Sequence, residues 1–220
     1  MVPIFLSLKL AVITTLLLIL LGLPLIYLLH FHVFRMRPFF KTVISLPLVL
    51  PPTVLGFYLL VALRPEGLIG QFLEKWLHFR IAFSFAGLVL GSVIFSLPFM
   101  VNPVISALEA LPASYTEAAF TLGKSRWVTF WRVLLPNTRT SVVTGIMMAF
   151  AHTMGEFGLV LMIGGSVPGE TKVASIALFE EMTALHYAEA NQYALILLGI
   201  SAAVLTGVYF FSGNKRTTLF

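Results

Sequence analysis

LPASYTEAAFTLGKSRWVTFWRVLLP, residues 111–136, is a long polar-interrupted stretch without turn clusters in a chain whose other long segments are apolar. Two short amphipathic helices fit it. Ser114 stands where an N-cap belongs and Glu117 follows three residues later, the spacing of a capping box. Gly123 supplies the C-terminal stop, because glycine takes the left-handed conformation that commonly ends a helix. Between them Tyr115, Ala118, Ala119 and Leu122 recur at i, i+3, i+4 and i+7 and share one face. The two alanines at its centre let another surface approach the backbone closely. In the second helix Trp127, Phe130, Trp131 and Leu134 repeat the spacing. Their bulk, with Lys124, Arg126 and Arg132 nearby, suits a membrane–water interface.

The rest of the chain sets that stretch in a membrane. Of 220 residues, 59% are hydrophobic and 10% charged, with mean hydropathy +0.98. Soluble domains carry about a quarter charged residues. The composition therefore implies an all-α integral membrane protein, residues 1–220 forming a single transmembrane domain. With no cysteine, disulfides and thiolate metal sites are excluded. The nine acids are all glutamates. A net charge of +5 expresses membrane topology here, since no basic run with interleaved aromatics occurs outside the interfacial helix that follows Gly123.

About five transmembrane helices are expected, at about 8–29, 42–63, 83–104, 140–163 and 192–211, with residues 111–136 between the third and fourth. The charge-free run from Leu10 to Leu29 is too long for a signal-peptide core, and no A-x-A-like cleavage site follows, so it is expected as an uncleaved first helix. The second span holds Pro47, Pro51 and Pro52, which bend helices. It is either a kinked structural helix or a bend lining a wet path. Phe72, Leu73, Trp76 and Leu77 predict a short interfacial helix in the loop from Arg64 to Arg80. The third span contains Pro98 and Pro103. Gly164 to Asn191 is expected as a loop, with Glu170, Glu180, Glu181 and Glu189 against Lys172. Basic residues orient the chain. Arg35, Arg37, Lys41, Lys124, Arg126, Arg132, Arg139, Lys215 and Arg216 fall on one side; Lys9, Arg64, Lys75, Arg80 and Lys172 fall on the other. The segment 111–136 and the C-terminus are then cytoplasmic and the N-terminus is outside. A second segment that doubled back would overturn this count.

Two constellations invite a chemical role. Gly123-Lys124-Ser125 resembles the end of a phosphate-binding loop, but the first glycine that motif needs would be residue 118, an alanine, and no strand pattern precedes it. His152 and Glu156, in AHTMGEFG, are four apart on one predicted helical face. Ionisable residues inside a membrane are functional candidates. The pair is either a packing hydrogen bond, a pore or gate element, or the centre of an intramembrane enzyme. Two ligands are too few for a closed metal site. His186 and Tyr187 lie in the acidic outer loop and are expected to be solvated.

Glu117-Ala118-Ala119, three residues, Gly123, then Leu135-Pro136 resembles the EAA loop of the membrane subunits of binding-protein-dependent ABC importers, in which a cytoplasmic coupling helix docks into the ATPase. Two further stretches narrow the likeness: LPLVLPPTVLGF (46–57), and HTMGEFG (152–158) with GGSVPGET (164–171). Together they resemble the molybdate ABC-transporter permeases, over nearly the whole chain to about Tyr193. The GEFG element is shared with sulfate permeases. The N-terminus looks short for the family, leaving open a short extra helix.

The resemblance implies a type I ABC importer permease fold in a bacterial cytoplasmic (inner) membrane. It implies a homodimer of permeases, two cytoplasmic ATPase subunits that bind the ATP and Mg, an extracytoplasmic molybdate-binding protein, membrane lipid around the chain, no nucleic acid, no cofactor on this chain and no catalytic or metal residue. Carried over residue by residue, it assigns ATPase coupling to Glu117, Ala118, Ala119 and Gly123. It assigns the translocation path or gate to His152, Gly155, Glu156 and Gly158. Sulfate or tungstate transport by the same architecture, a channel or secondary carrier, and an intramembrane enzyme are the competing expectations. No lysine or arginine falls inside the charge-free runs of the expected spans, so a dianion would cross by weak contacts with polar groups, backbone N–H and water, selectivity being left to the binding protein.

Overall fold

Prolines and glycines decide where these apolar runs bend. The computed structural model describes all residues except 33, 34, 66, 68, 69, 72–74, 76–80 and 213–220. The expected helix at Phe72–Leu77 and the basic tail residues Lys215 and Arg216 lie outside the described residues. Every regular element among the described residues is helical: α1 (Val2–Phe31), α2 (Arg37–Val49), α3 (Pro52–Leu63), α4 (Phe85–Ala110), α5 (Ser114–Thr121), α6 (Arg126–Thr129), a π-helical turn (Phe130–Leu134), α7 (Leu135–Asn137), α8 (Arg139–Gly155), α9 (Gly158–Gly164), α10 (Ala174–Thr183) and α11 (Tyr187–Ser212).

Three helices, α1, α4 and α11, are long and apolar enough to cross a membrane, and there are up to five spans if each of two bent pairs is one. At 30 residues, α1 is about 45 Å long, well beyond the about 30 Å hydrocarbon thickness. Lys9, expected just outside the first span, is therefore inside the helix, its Nζ 4.6 Å from the Phe85 ring centroid. The expected second span is the pair α2 and α3, bent by 112°, and the expected fourth is α8 and α9, bent by 61°. The first bend follows from covalent geometry. A residue before proline is pushed to extended backbone, and Leu50 (ψ 137°) and Pro51 (ψ 135°) each precede one.

Helix α4 is the central post. Its C-terminal end holds α2 through Glu109, whose Oε1 accepts from Arg37 at 2.8 Å and Lys41 at 2.6 Å. Ser45 and Asn102 hydrogen-bond one level further along. On the other side, a Cβ on Gly145 would lie 2.9 Å from the Met100 carbonyl oxygen, Ser96 meets His152, and Leu159 lies against Gly91. The α8–α9 pair thus steps along α4 in one direction despite its bend, and α3 follows beside α9.

Lipid is as apolar as the side chains, so burial in hydrocarbon does not drive such helices together; close packing does. Gly56 and Gly158 make the tightest joint between the two bent pairs. A Cβ on Gly56 would lie 2.7 Å from Met162 Cβ, and one on Gly158 3.0 Å from Pro52 Cβ. One apolar cluster, around Leu18, Ile26, Met100 and Phe130, fills one half of the bundle; a second, around Leu10, Leu88, Leu159 and Ile176, fills the other. The expected loop from Gly164 to Asn191 contains α10, whose first amide donates to Ser7 Oγ at 2.8 Å and so ties it to α1.

Candidate functional site

The helix expected at the centre of residues 111–136 forms, but starts differently. Ser114 is its first residue rather than its cap; Ala113 is the N-cap and no side chain caps the turn. Pro112 fixes its own φ, and Tyr115 N donates to the Pro112 carbonyl at 3.2 Å while Thr116 N and Glu117 N both donate to Ala113. The chain therefore winds up one residue early and the capping box is not made. The stop is as expected. Gly123 has φ +71°, its amide bonds the Phe120 carbonyl at 2.9 Å, and Lys124 N bonds the Ala119 carbonyl at 3.0 Å. This pair of bonds is the Schellman ending that a glycine permits. Ser125 Oγ then accepts from Val128 N at 3.3 Å and starts α6.

The shared face of α5 is partly open: Tyr115, Ala118 and Leu122 are exposed and Ala119 is buried. Tyr115, Ala118, Ala119 and Leu122, with Ser114 and Val133, line a concavity of about 450 Å3. Leu122 is 75% exposed. Glu117 is exposed on a different side, in a cavity of about 380 Å3 shared with His30, Glu109, Thr116 and Phe120.

The second helix departs from expectation. The π turn at Phe130–Leu134 interrupts the regular period, and Phe130 and Leu134 are buried in the core while Trp127 is 52% exposed. These four positions do not form one interfacial stripe. The helix runs on through Leu135-Pro136 to Asn137.

His152 and Glu156 do not share a helical face. Helix α8 ends at Gly155 and Glu156 is extended (φ −72°, ψ 136°). His152 Nδ1 lies 3.0 Å from Ser96 Oγ, and its ring stacks on Phe99 at 4.1 Å between centroids. Ser96 also bonds Thr153 at 2.9 Å. Glu156 is buried. Its Oε1 accepts from Leu159 N at 3.2 Å, capping α9, and its carbonyl accepts from Ser175 Oγ at 2.6 Å. Glu156 Oε2 and Ser92 Oγ are both buried. The histidine is thus occupied with α4, and the glutamate with α9 and α10. No group of three or more His, Cys, Asp or Glu that could hold a metal occurs among the described residues. Gly155 faces open space, whereas Gly158 is pressed against Pro52 and Thr53.

Sequence reasoning missed Ser96, Glu109 and Tyr27. A charged residue ending an apolar run opposite a basic loop was the available signal for Glu109. Ser96 and Tyr27 carry none, because serine and tyrosine inside apolar runs are commonplace.

A family model described as a binding-protein-dependent transport system inner membrane component matches residues 19–214. The chain is 43% identical, over 204 residues, to the molybdenum transport system permease protein ModB of Azotobacter vinelandii, covering 93% of this chain and 90% of that one. It is 40% identical over 138 residues to the ModB protein of Escherichia coli K12, covering 63% and 60%. It is 31% identical over 187 residues to the sulfate transport system permease protein CysT of that strain, covering 85% and 67%. Among solved structures, a bacterial alginate ABC transporter in complex with a periplasmic protein carrying an alginate pentasaccharide superposes with a TM-score of 0.74 at 17% identity, covering 98% of this chain and 77% of that one. With the family model spanning most of the chain, this protein belongs to the binding-protein-dependent transport system inner membrane components.

Proposed function

We propose that this chain is the permease subunit of an ATP-driven oxyanion importer whose substrate is molybdate. The observation that carries it is α5: a helix stopped by Gly123 at the inner end of the bundle, with an alanine-centred face on which Tyr115, Ala118 and Leu122 remain exposed while Ala119 is buried. A cytoplasmic ATPase subunit is the occupant of that face, and Ala118, Ala119, Gly123 and Glu117 are its coupling residues. Two such chains form the transmembrane unit, with two ATPase subunits that bind ATP and Mg, and an external binding protein delivers the anion. The N-terminus is outside and the C-terminus inside. The greater identity to the ModB proteins than to the CysT protein supports molybdate over sulfate.

His152, Gly155, Glu156 and Gly158 lie where α8 breaks within the bundle and are assigned to the path or its gate. The intramembrane-enzyme alternative loses ground, since His152 and Glu156 bond different partners and are not an acid–base pair.

The test is ATP hydrolysis by the chain purified with its ATPase subunit in lipid, with molybdate-loaded or sulfate-loaded binding protein. Stimulation by the molybdate form alone is expected. Equal stimulation by sulfate removes the molybdate assignment, and no association with an ATPase removes the importer. Gly123→Val, which forces a β-branched residue to positive φ, should abolish stimulation while leaving the spans folded.

A further inference from the structure

Aromatic rings gather where the coupling segment meets α1. Tyr27 has its ring centroid 5.4 Å from Phe31, 5.1 Å from Trp127 and 5.4 Å from Phe130. Trp131 stands edge-on to both Phe130 and Trp127, 5.4 Å from each. Phe31 reaches Phe120, on α5, at 6.5 Å. All these separations fall in the range where aromatic pairs attract beyond their buried area. Phe120 lines the cavity beside Glu117, not the open concavity of Ala118 and Ala119. Helix α5 therefore shows one face outward and touches α1 from another side.

The backbone link from α5 to α6 is the weak alternative. It is a short turn at Gly123–Lys124, and a side chain built on Gly123 would meet nothing within 4 Å. A displacement of α5 carried by that turn alone would dissipate in it.

We propose that this aromatic cluster, centred on Tyr27, locks α5, α6 and the inner end of α1 into one rigid body, so that α1 moves with the coupling helix during transport. Tyr27 is the positioning residue, and its ring rather than its hydroxyl makes the contacts. The proposal rests on the importer function given above.

The experiment uses the whole complex, permease, ATPase and binding protein, in proteoliposomes, reading molybdate taken up per ATP hydrolysed. Tyr27→Ala should still co-purify with the ATPase and hydrolyse ATP, with uptake per ATP lowered about tenfold, within the range that coupling residues reach. Tyr27→Phe should behave as wild type. Unchanged uptake per ATP in Tyr27→Ala overturns the proposal, and so does an equal loss in Tyr27→Phe. A second measurement does not depend on that variant folding. The chain has no cysteine, so Phe31→Cys with Phe120→Cys can be joined by a short thiol cross-linker. Uptake after joining no lower than that of the same variant before joining supports one rigid body; arrest by joining shows that the two helices part, and overturns it. Failure of the wild-type complex to couple ATP hydrolysis to uptake would sink the importer function instead, which keeps the two failures apart.

Discussion

The two bent pairs, α2–α3 and α8–α9, break for different reasons. The first turns by 112° at Leu50-Pro51-Pro52, where no other residue type is needed to explain it. The second turns by 61° at Gly155-Glu156-Phe157 without any proline. There the helix stops, the backbone extends, and the Glu156 carboxylate caps the next helix through Leu159 N. The two breaks then meet, Gly56 against Leu159 and Met162, Gly158 against Pro52 and Thr53. A break imposed by covalent geometry belongs to its own residues. A break made by a side-chain cap exists only while neighbouring helices hold the cap in place.

The largest effect is expected at their joint. Gly56→Leu places a Cβ 2.7 Å from Met162 Cβ and 3.1 Å from Leu159 Cα, so backbone must move. Overpacking of this kind costs about 3 kcal/mol, read as a lowered Tm of the purified permease. A wild-type Tm would show that the breaks do not pack on one another. Glu156→Ala comes next, because it leaves the Leu159 amide without its acceptor, at about 1–3 kcal/mol. Glu156→Gln keeps an acceptor oxygen and should lose much less. Equal losses would mean that charge, not capping, holds the second break.

Pro52→Ala should matter less, within about 1 kcal/mol, because Pro51 still forces Leu50 to be extended. A larger loss would move the first break into the class of the second. The smallest effect lies outside the membrane-spanning segments, at Lys172–Glu180. The hydrogen bond between them raises the lysine's pKa and lowers the glutamate's. The Glu180 contribution is present above the ordinary carboxylate range and fades as pH falls through its lowered value. The Lys172 contribution is present below the ordinary lysine value and fades as pH rises through its raised one. With side chains 25% and 39% exposed, the pair is worth at most about 1 kcal/mol. Glu180→Gln should flatten the acid limb of Tm against pH slightly and leave both breaks unchanged.

The same division runs through residues 111–136. The face of Tyr115, Ala118, Ala119 and Leu122 and the Gly123 stop were legible, because helical period and the left-handed preference of glycine are local properties. The helix start was not, since Pro112 wound the chain before Ser114 could cap it. Nor was the fate of Trp127, Phe130, Trp131 and Leu134. The spacing alone gave one stripe, and the π turn and the ring of Tyr27 split it between core and surface.

By itself the sequence determined a membrane protein of several helices, the proline bend in its second segment, and an alanine-faced helix between spans that a glycine stops. Each of these follows from hydropathy, covalent geometry or helical period within a few residues. Only the tertiary structure decided that His152 belongs to Ser96 and Glu156 to Leu159 and Ser175. A buried polar group takes the partner that neighbouring helices bring within hydrogen-bond reach, and four residues of spacing cannot say which helix that will be.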